Sequence, residues 1–171
     1  MDKIRYGIIG FGAQGSSYCN ILTGTPAFPG FPAAAIPAHC ELGAVTDIDP
    51  AKREAVKAKF PNIPVFEDYK EMIASGLIDA VITTVPHYLH HEMAIYALEH
   101  GMHVIGEKPA GVRASDVQKM LDCAAAHRPW HAAHPAAPAG QCQRPVGFHD
   151  RYQRLLLLPR LYRGVHRGAC H

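Results

Sequence analysis

No C-x-x-C pair occurs among the five cysteines, Cys19, Cys40, Cys123, Cys142 and Cys170, and their number is odd. Scattered thiols of this kind do not build a disulfide framework, so reduced cysteines in a cytoplasmic protein are expected. An apolar run of the ~20 residues needed to cross a bilayer is also missing, so no membrane partner is expected. Met1-Asp2-Lys3 leads straight into strand-like sequence, so no signal peptide is expected. Charge of one sign is lacking too: the formal net charge is +2, which points neither to nucleic acid nor to an acidic partner. An H-E-x-x-H zinc helix is excluded because Ile95 stands where the second histidine after His91-Glu92 would be.

The most uneven absences are confined to one end. From His127 to His171 there is no Lys, Ser, Thr, Asn, Glu, Ile or Met, and Asp150 is the sole acid among seven arginines. Pro, Ala and His are abundant there, whereas Met1 to Ala126 uses acids, bases and lysine normally. Halves of one chain seldom differ so sharply. His166, Cys170 and His171 do not complete a four-ligand set, so no metal is expected. The tail arginines lack an RNA-binding motif or an aromatic stacking platform, so no nucleic-acid partner is expected either. The domain reading is therefore 1–126 as one folded unit and 127–171 as an atypical, irregular tail: disordered or translated out of frame, the competing reading being a genuine short tail that docks its Leu155–Leu158 run onto the sheet edge.

What the front section does contain is a nucleotide-binding pattern. The strand-like run Ile4 to Ile9 ends in Gly10-Phe11-Gly12-Ala13-Gln14-Gly15, a G-x-G-x-x-G that opens a helix from Ala13 to Leu22. Gly10 permits the tight turn, Gly12 has no Cβ to hold phosphates away, and Gly15 allows close helix packing. The helix N-terminus then offers N–H groups and a positive dipole end to a pyrophosphate.

Further strands are expected at Glu41–Thr46, Pro64–Phe66, Asp79–Val85 and Met102–Ile105. Helices are expected from Pro50 (capped by Asp49) to Phe60, over Asp68–Ser75 and Tyr88–Glu99, and from Ser115 to Ala126. The prolines between Thr23 and Cys40 mark an irregular insertion. Strand and helix in alternation imply an α/β fold, a doubly wound parallel sheet of the Rossmann type. Asp47, ending the second strand, stands where an acid binds the adenosine ribose hydroxyls, which favours NAD over NADP; the other reading is that it caps the Asp-Ile-Asp-Pro turn. Arg53 lies near enough to temper that preference.

Four segments in order resemble the glucose–fructose oxidoreductase and inositol dehydrogenase (Gfo/Idh/MocA) family: the glycine loop, Thr46-Asp47-Ile48-Asp49-Pro50, Thr84-Val85-Pro86-His87-Tyr88-Leu89-His90, and His103-Val104-Ile105-Gly106-Glu107-Lys108-Pro109. The resemblance spans about residues 3 to 126. It implies an NAD(P)-binding domain of an oxidoreductase that moves hydride between nicotinamide and a sugar or polyol. Lys108 would then be the catalytic lysine of the E-K-P motif, with Glu107 orienting it or the nicotinamide end. Thr84 and Pro86 would belong to the cofactor loop after the fourth strand. His90, matching the P-x-x-x-H histidine, is read as structural.

Members of that family continue with another apolar strand and a substrate domain carrying a D-x-x-x-H pair. Here Asp150 is followed at that spacing by Arg154, and no β-branched run follows Ala126. The resemblance therefore implies a truncated chain, weakly active or inactive alone. A non-enzymatic NAD(H)-binding module and a defective product are the alternatives. Oligomeric state is not legible.

Overall fold

The computed structural model describes residues 3–26, 30, 32–33 and 35–127. Ten elements alternate along them: β1 (Ile4–Ile9), α1 (Ala13–Thr23), β2 (Cys40–Thr46), α2 (Pro50–Lys59), β3 (Val65–Phe66), α3 (Tyr69–Ala74), β4 (Ala80–Thr83), α4 (His90–Glu99), β5 (His103–Gly106) and α5 (Ala114–Ala126). The strands form one parallel five-stranded sheet in the order β3-β2-β1-β4-β5. This is the doubly wound arrangement, with the reversal of strand order falling between β1 and β4.

The period-2 alternation of each strand divides its apolar residues between two helical layers. Tyr6, Ile8, Val45, Ala80 and Ile82 pack on one face with Cys19 and Leu22 of α1, Val56 of α2, and Phe60. Ile9, Ala44 and Val81 pack on the other with Met72 and Ile73 of α3, Ile78, and Ala97 of α4. Ile8, Val45, Val56, Val81 and Ala97 are fully shielded from solvent. The strands therefore need apolar residues at nearly every position, as sheets covered on both sides do. α5 buries none of its residues fully, and its Cys123 Sγ lies 3.9 Å from the Ile95 carbonyl of α4.

Local signals set most boundaries. Asp49 caps α2 by accepting from Ala51 N–H at 2.9 Å, and Pro50 occupies the first helical position. Asp68 caps α3 in the same way, through Lys70 N–H. Between Gly24 and His39 the described residues carry no helix or strand.

Most boundaries differ from expectation by one or two residues, and β4, α4 and α5 show why. β4 stops at Thr83, well short of Val85, because its neighbour β1 ends where Gly10 turns away at φ +96°. Thr84 N–H makes the last ladder-like bond, to Ile9 O at 2.9 Å. α4 begins at His90 and not Tyr88, since Leu89 N–H closes a separate turn on Pro86 O at 2.8 Å. α5 begins at Ala114, with the carbonyl of Arg113 accepting from Asp116 and Val117. The expected character of residues 128–171 lies outside the described residues.

Candidate dinucleotide-binding site

The glycine turn that follows β1 is met by the carboxyl ends of β2 and β4. Gly10 N–H donates to Thr46 O at 2.8 Å, tying the turn to the end of β2. From β4, the Thr84 hydroxyl donates to Gly10 O at 2.6 Å and lies 3.1 Å from Ile9 O. Thr84 is thus a prop beneath the turn. Gly15, one turn into α1, packs against the same carbonyl: a Cβ there would sit 1.9 Å from Gly10 O.

Gly12 is different. A Cβ at Gly12 would meet nothing within 4 Å, and its backbone (φ −83°, ψ −161°) is one any residue adopts. Neither packing nor strain calls for glycine there, so the open space lies outside the fold. That space faces the N-terminus of α1, which has no side-chain cap and no acid in its first turn. Ala13 and Gln14 are exposed beside it. A group with a diphosphate fits these features, because N–H donors without a competing carboxylate are what an anion requires.

Asp47 is buried, 7% exposed, and faces the fold. Its Oδ2 accepts from Phe11 N–H at 2.7 Å and its Oδ1 from Asp49 N–H at 2.9 Å. Lys52 Nζ stands 3.5 Å from Oδ2. The carboxylate therefore joins the glycine turn to the β2–α2 turn, as the turn-capping reading of Asp47 expects. The Phe11 N–H is consumed by this bond, and the Phe11 ring meets Phe60 edge-on at 6.4 Å. Arg53 donates to the carbonyls of Asp47 and Ile48 and pairs with Glu67 at 3.0 Å. Its guanidinium serves the turn.

At the end of β5, Glu107 N–H reaches Thr83 O at 3.2 Å. The Glu107 carboxylate accepts from the Tyr18 phenol at 2.6 Å and from Lys108 N–H at 3.0 Å. Burial, and then Glu107, push the Tyr18 hydroxyl up to about 12, so it remains a donor. The Lys108 side chain is exposed, with no bonding partner among the described residues, and the Lys108–Pro109 peptide is cis. Pro86 is exposed on the rim after β4. His90 is buried, and its Nε2 lies 2.6 Å from Val85 O; a carbonyl only accepts, so the ring proton is on Nε2.

The structure thus gathers Gly10, Phe11, Gly12, Ala13, Gln14, Gly15, Asp47 and Thr84 around one turn, joins Glu107 to α1, and leaves Pro86 and Lys108 exposed on their own loops. Tyr18 and Lys52 were not singled out from sequence. Tyr18 carried a usable signal: it follows Gly15 by three residues, so both lie on one face of α1. Among the described residues no three His, Cys, Asp or Glu stand together as a metal set, and no helix is long and apolar enough to cross a membrane.

These features define a Rossmann dinucleotide-binding domain. Residues 4–130 match the Gfo/Idh/MocA oxidoreductase family with its NAD-binding Rossmann fold, and the chain belongs to that family. It is 29% identical over 119 residues to inositol 2-dehydrogenase 1 of Saccharopolyspora erythraea, covering 69% of this chain and 32% of that protein. Over 70 residues it is 37% identical to the NADP(+) scyllo-inositol 2-dehydrogenase IolU of Bacillus subtilis, covering 41% of this chain and 21% of the relative. Scyllo-inositol dehydrogenase of Lactobacillus casei, solved with bound NAD(H) and scyllo-inositol, superposes with a TM-score of 0.64 at 28% identity, over 74% of this chain and 34% of that one. The chain therefore spans about a third or less of the length of these relatives.

Proposed function

We propose that residues 1–126 are the coenzyme domain of a cytoplasmic oxidoreductase that moves hydride between a nicotinamide dinucleotide and a sugar or polyol. The observation that carries this reading is Gly12: a glycine that neither packing nor backbone requires, beside an uncapped helix N-terminus. In this reading Gly10 and Gly15 shape the turn. Gly12, Ala13 and Gln14 face the diphosphate, and Phe11 holds Asp47 in place. Asp47, bonded to both the glycine turn and the β2–α2 turn, sets the edge at the end of β2 where the adenosine ribose is proposed to lie. Thr84 fixes the turn from below, and Pro86 shapes the rim. The dinucleotide, when bound, supplies the hydride acceptor or donor. Lys108 places an ammonium at the β5 rim, where it stabilises developing alkoxide charge on a substrate hydroxyl. Glu107 orients the loop that carries it.

NAD is proposed over NADP because Asp47 and Asp49 both flank the β2–α2 turn, while the Arg53 guanidinium is taken up by two carbonyls and Glu67. A polyol substrate is supported by the inositol dehydrogenases among the relatives.

Titration with NADH, followed by its fluorescence, should show saturable binding, tighter than for NADPH. Turnover of a polyol panel by the 171-residue chain should be feeble, since the Lys108 ammonium meets no acid–base partner among the described residues and such groups typically contribute ~10²–10⁴-fold. No fluorescence change with either coenzyme would remove the reading. Binding without any turnover would favour a non-enzymatic NAD(H)-binding module.

A further inference from the structure

The bond between Tyr18 and Glu107 joins parts of the site that the topology keeps apart. Tyr18 sits on α1, the helix whose N-terminus faces the open space at Gly12. Glu107 directly follows β5, which lies on the far side of β4 in the sheet. Their side chains meet at 2.6 Å, and the other carboxylate oxygen of Glu107 accepts the main-chain N–H of Lys108 at 3.0 Å. One carboxylate therefore spans the phenol of the diphosphate helix and the backbone of the lysine turn. Both its oxygens are occupied by protein donors, so it is placed for holding and not for proton transfer.

We infer that Tyr18 is a positioning residue for Lys108: its phenol holds Glu107, and Glu107 fixes the Lys108 turn against the coenzyme helix. The inference rests on the function proposed above and adds to it a residue outside the G-x-G-x-x-G and E-K-P motifs. Two further observations support it. Burial and Glu107 keep the phenol protonated up to about 12, so the donor persists across working pH. Glu107 N–H also bonds Thr83 O of β4, which leaves the Glu107 side chain as the described link from the β5 rim to α1. Seating a diphosphate at α1 then stiffens the Lys108 turn through the phenol.

The test is amide hydrogen exchange at Lys108, read in the intact 171-residue chain with and without NADH. Tyr18→Phe keeps the ring and its packing and removes only the donor. In the coenzyme-free protein it should speed Lys108 exchange about tenfold, the scale of a lost bond to a charged group, while β4 amides stay unchanged. Glu107→Ala should do the same, and adding Tyr18→Phe to it should do nothing more; a packing defect would add. NADH should slow Lys108 exchange in the wild type and much less in Tyr18→Phe. Equal protection by NADH in both proteins, or additive effects in the double variant, would overturn the inference. Absence of NADH binding to the wild type would instead overturn the proposed function, and the positioning role with it, while the coenzyme-free comparison still reports on the hydrogen bond alone.

Discussion

Three glycines within six residues have three separate reasons to be glycine. Gly10 turns the chain at φ +96°, Gly15 lies against a carbonyl too close for any Cβ, and Gly12 faces open space. The sequence pattern announced all three, but only coordinates separate fold from function. Gly15→Ala is expected to lower stability by at least about 2 kcal/mol, because backbone must shift to admit the methyl. Gly12→Val should leave the denaturant midpoint nearly unchanged and weaken NADH binding by about tenfold or more, since its side chain enters the space proposed for the diphosphate. Chemical denaturation and fluorescence titration of both variants read this contrast. A Gly12→Val protein that binds NADH normally would refute the phosphate role. What the sequence hid at this scale were partnerships between distant residues. Asp47 is separated from Phe11 by 36 positions and Glu107 from Tyr18 by 89, and no local periodicity encodes such pairs. Arg53 shows the same limit: its position suggested that it tempers the coenzyme preference, and its bonds are to the carbonyls of its own turn and to Glu67.

At the level of elements, the alternation of strand and helix was legible because strands shielded on both faces are apolar throughout, and because Asp49-Pro50 and Asp68 are chemically distinctive helix starts. Ends were less legible where they depend on a neighbour. β4 reads as a longer strand, and its pairing stops because β1 turns away. One inter-element link has a measurable pH signature. Arg5 at the start of β1 pairs with Asp79, just before β4, at 2.7 Å, and its backbone N–H and Nε both bond Asp79 Oδ2. The hydrogen bond from the Arg5 side chain, aided by its backbone N–H and charge, holds the Asp79 carboxyl below its ordinary 3.8. A depressed carboxylate contributes stability that is present above the unfolded-state value and is lost as pH falls through the folded-state value. Asp79→Asn should therefore destabilise the protein near neutrality, and the gap to wild type should shrink as pH is lowered from about 5 to about 2. Both side chains are roughly 40% exposed, so solvent screening keeps the pair's charge contribution small. Denaturant melts across that range give the answer; a gap independent of pH would show that Asp79 acts through shape alone.

For the whole chain, the decisive contrast is between the fold of the described residues and the composition of residues 128–171. The described part satisfies a doubly wound sheet on both faces, and the family match ends at residue 130. Just there Lys, Ser, Thr, Asn, Glu, Ile and Met vanish together, and arginine, proline, alanine and histidine take over. Loss of Ile, Thr and Ser, with Val146 and Val165 the only β-branched residues left, removes most of the material of strands and caps at once, which one element replaced by another does not do. Among the described residues β5 is an edge strand with His103 and Gly106 exposed, and α5 fully buries none of its residues. A sheet edge and a helix face in that condition are suited to further covering structure. We propose that residues after about Ala126 are read out of frame. The coding DNA should then yield, in one of its other two frames from the codons of Ala124 to Trp130 onward, an apolar strand rich in Val and Ile. That frame should continue into a long α/β sequence containing an aspartate and a histidine spaced D-x-x-x-H. If neither frame does so, the altered composition belongs to the protein itself, and limited proteolysis at Arg128 and Arg144 becomes the next measurement: resistance at both sites would mean that the segment packs.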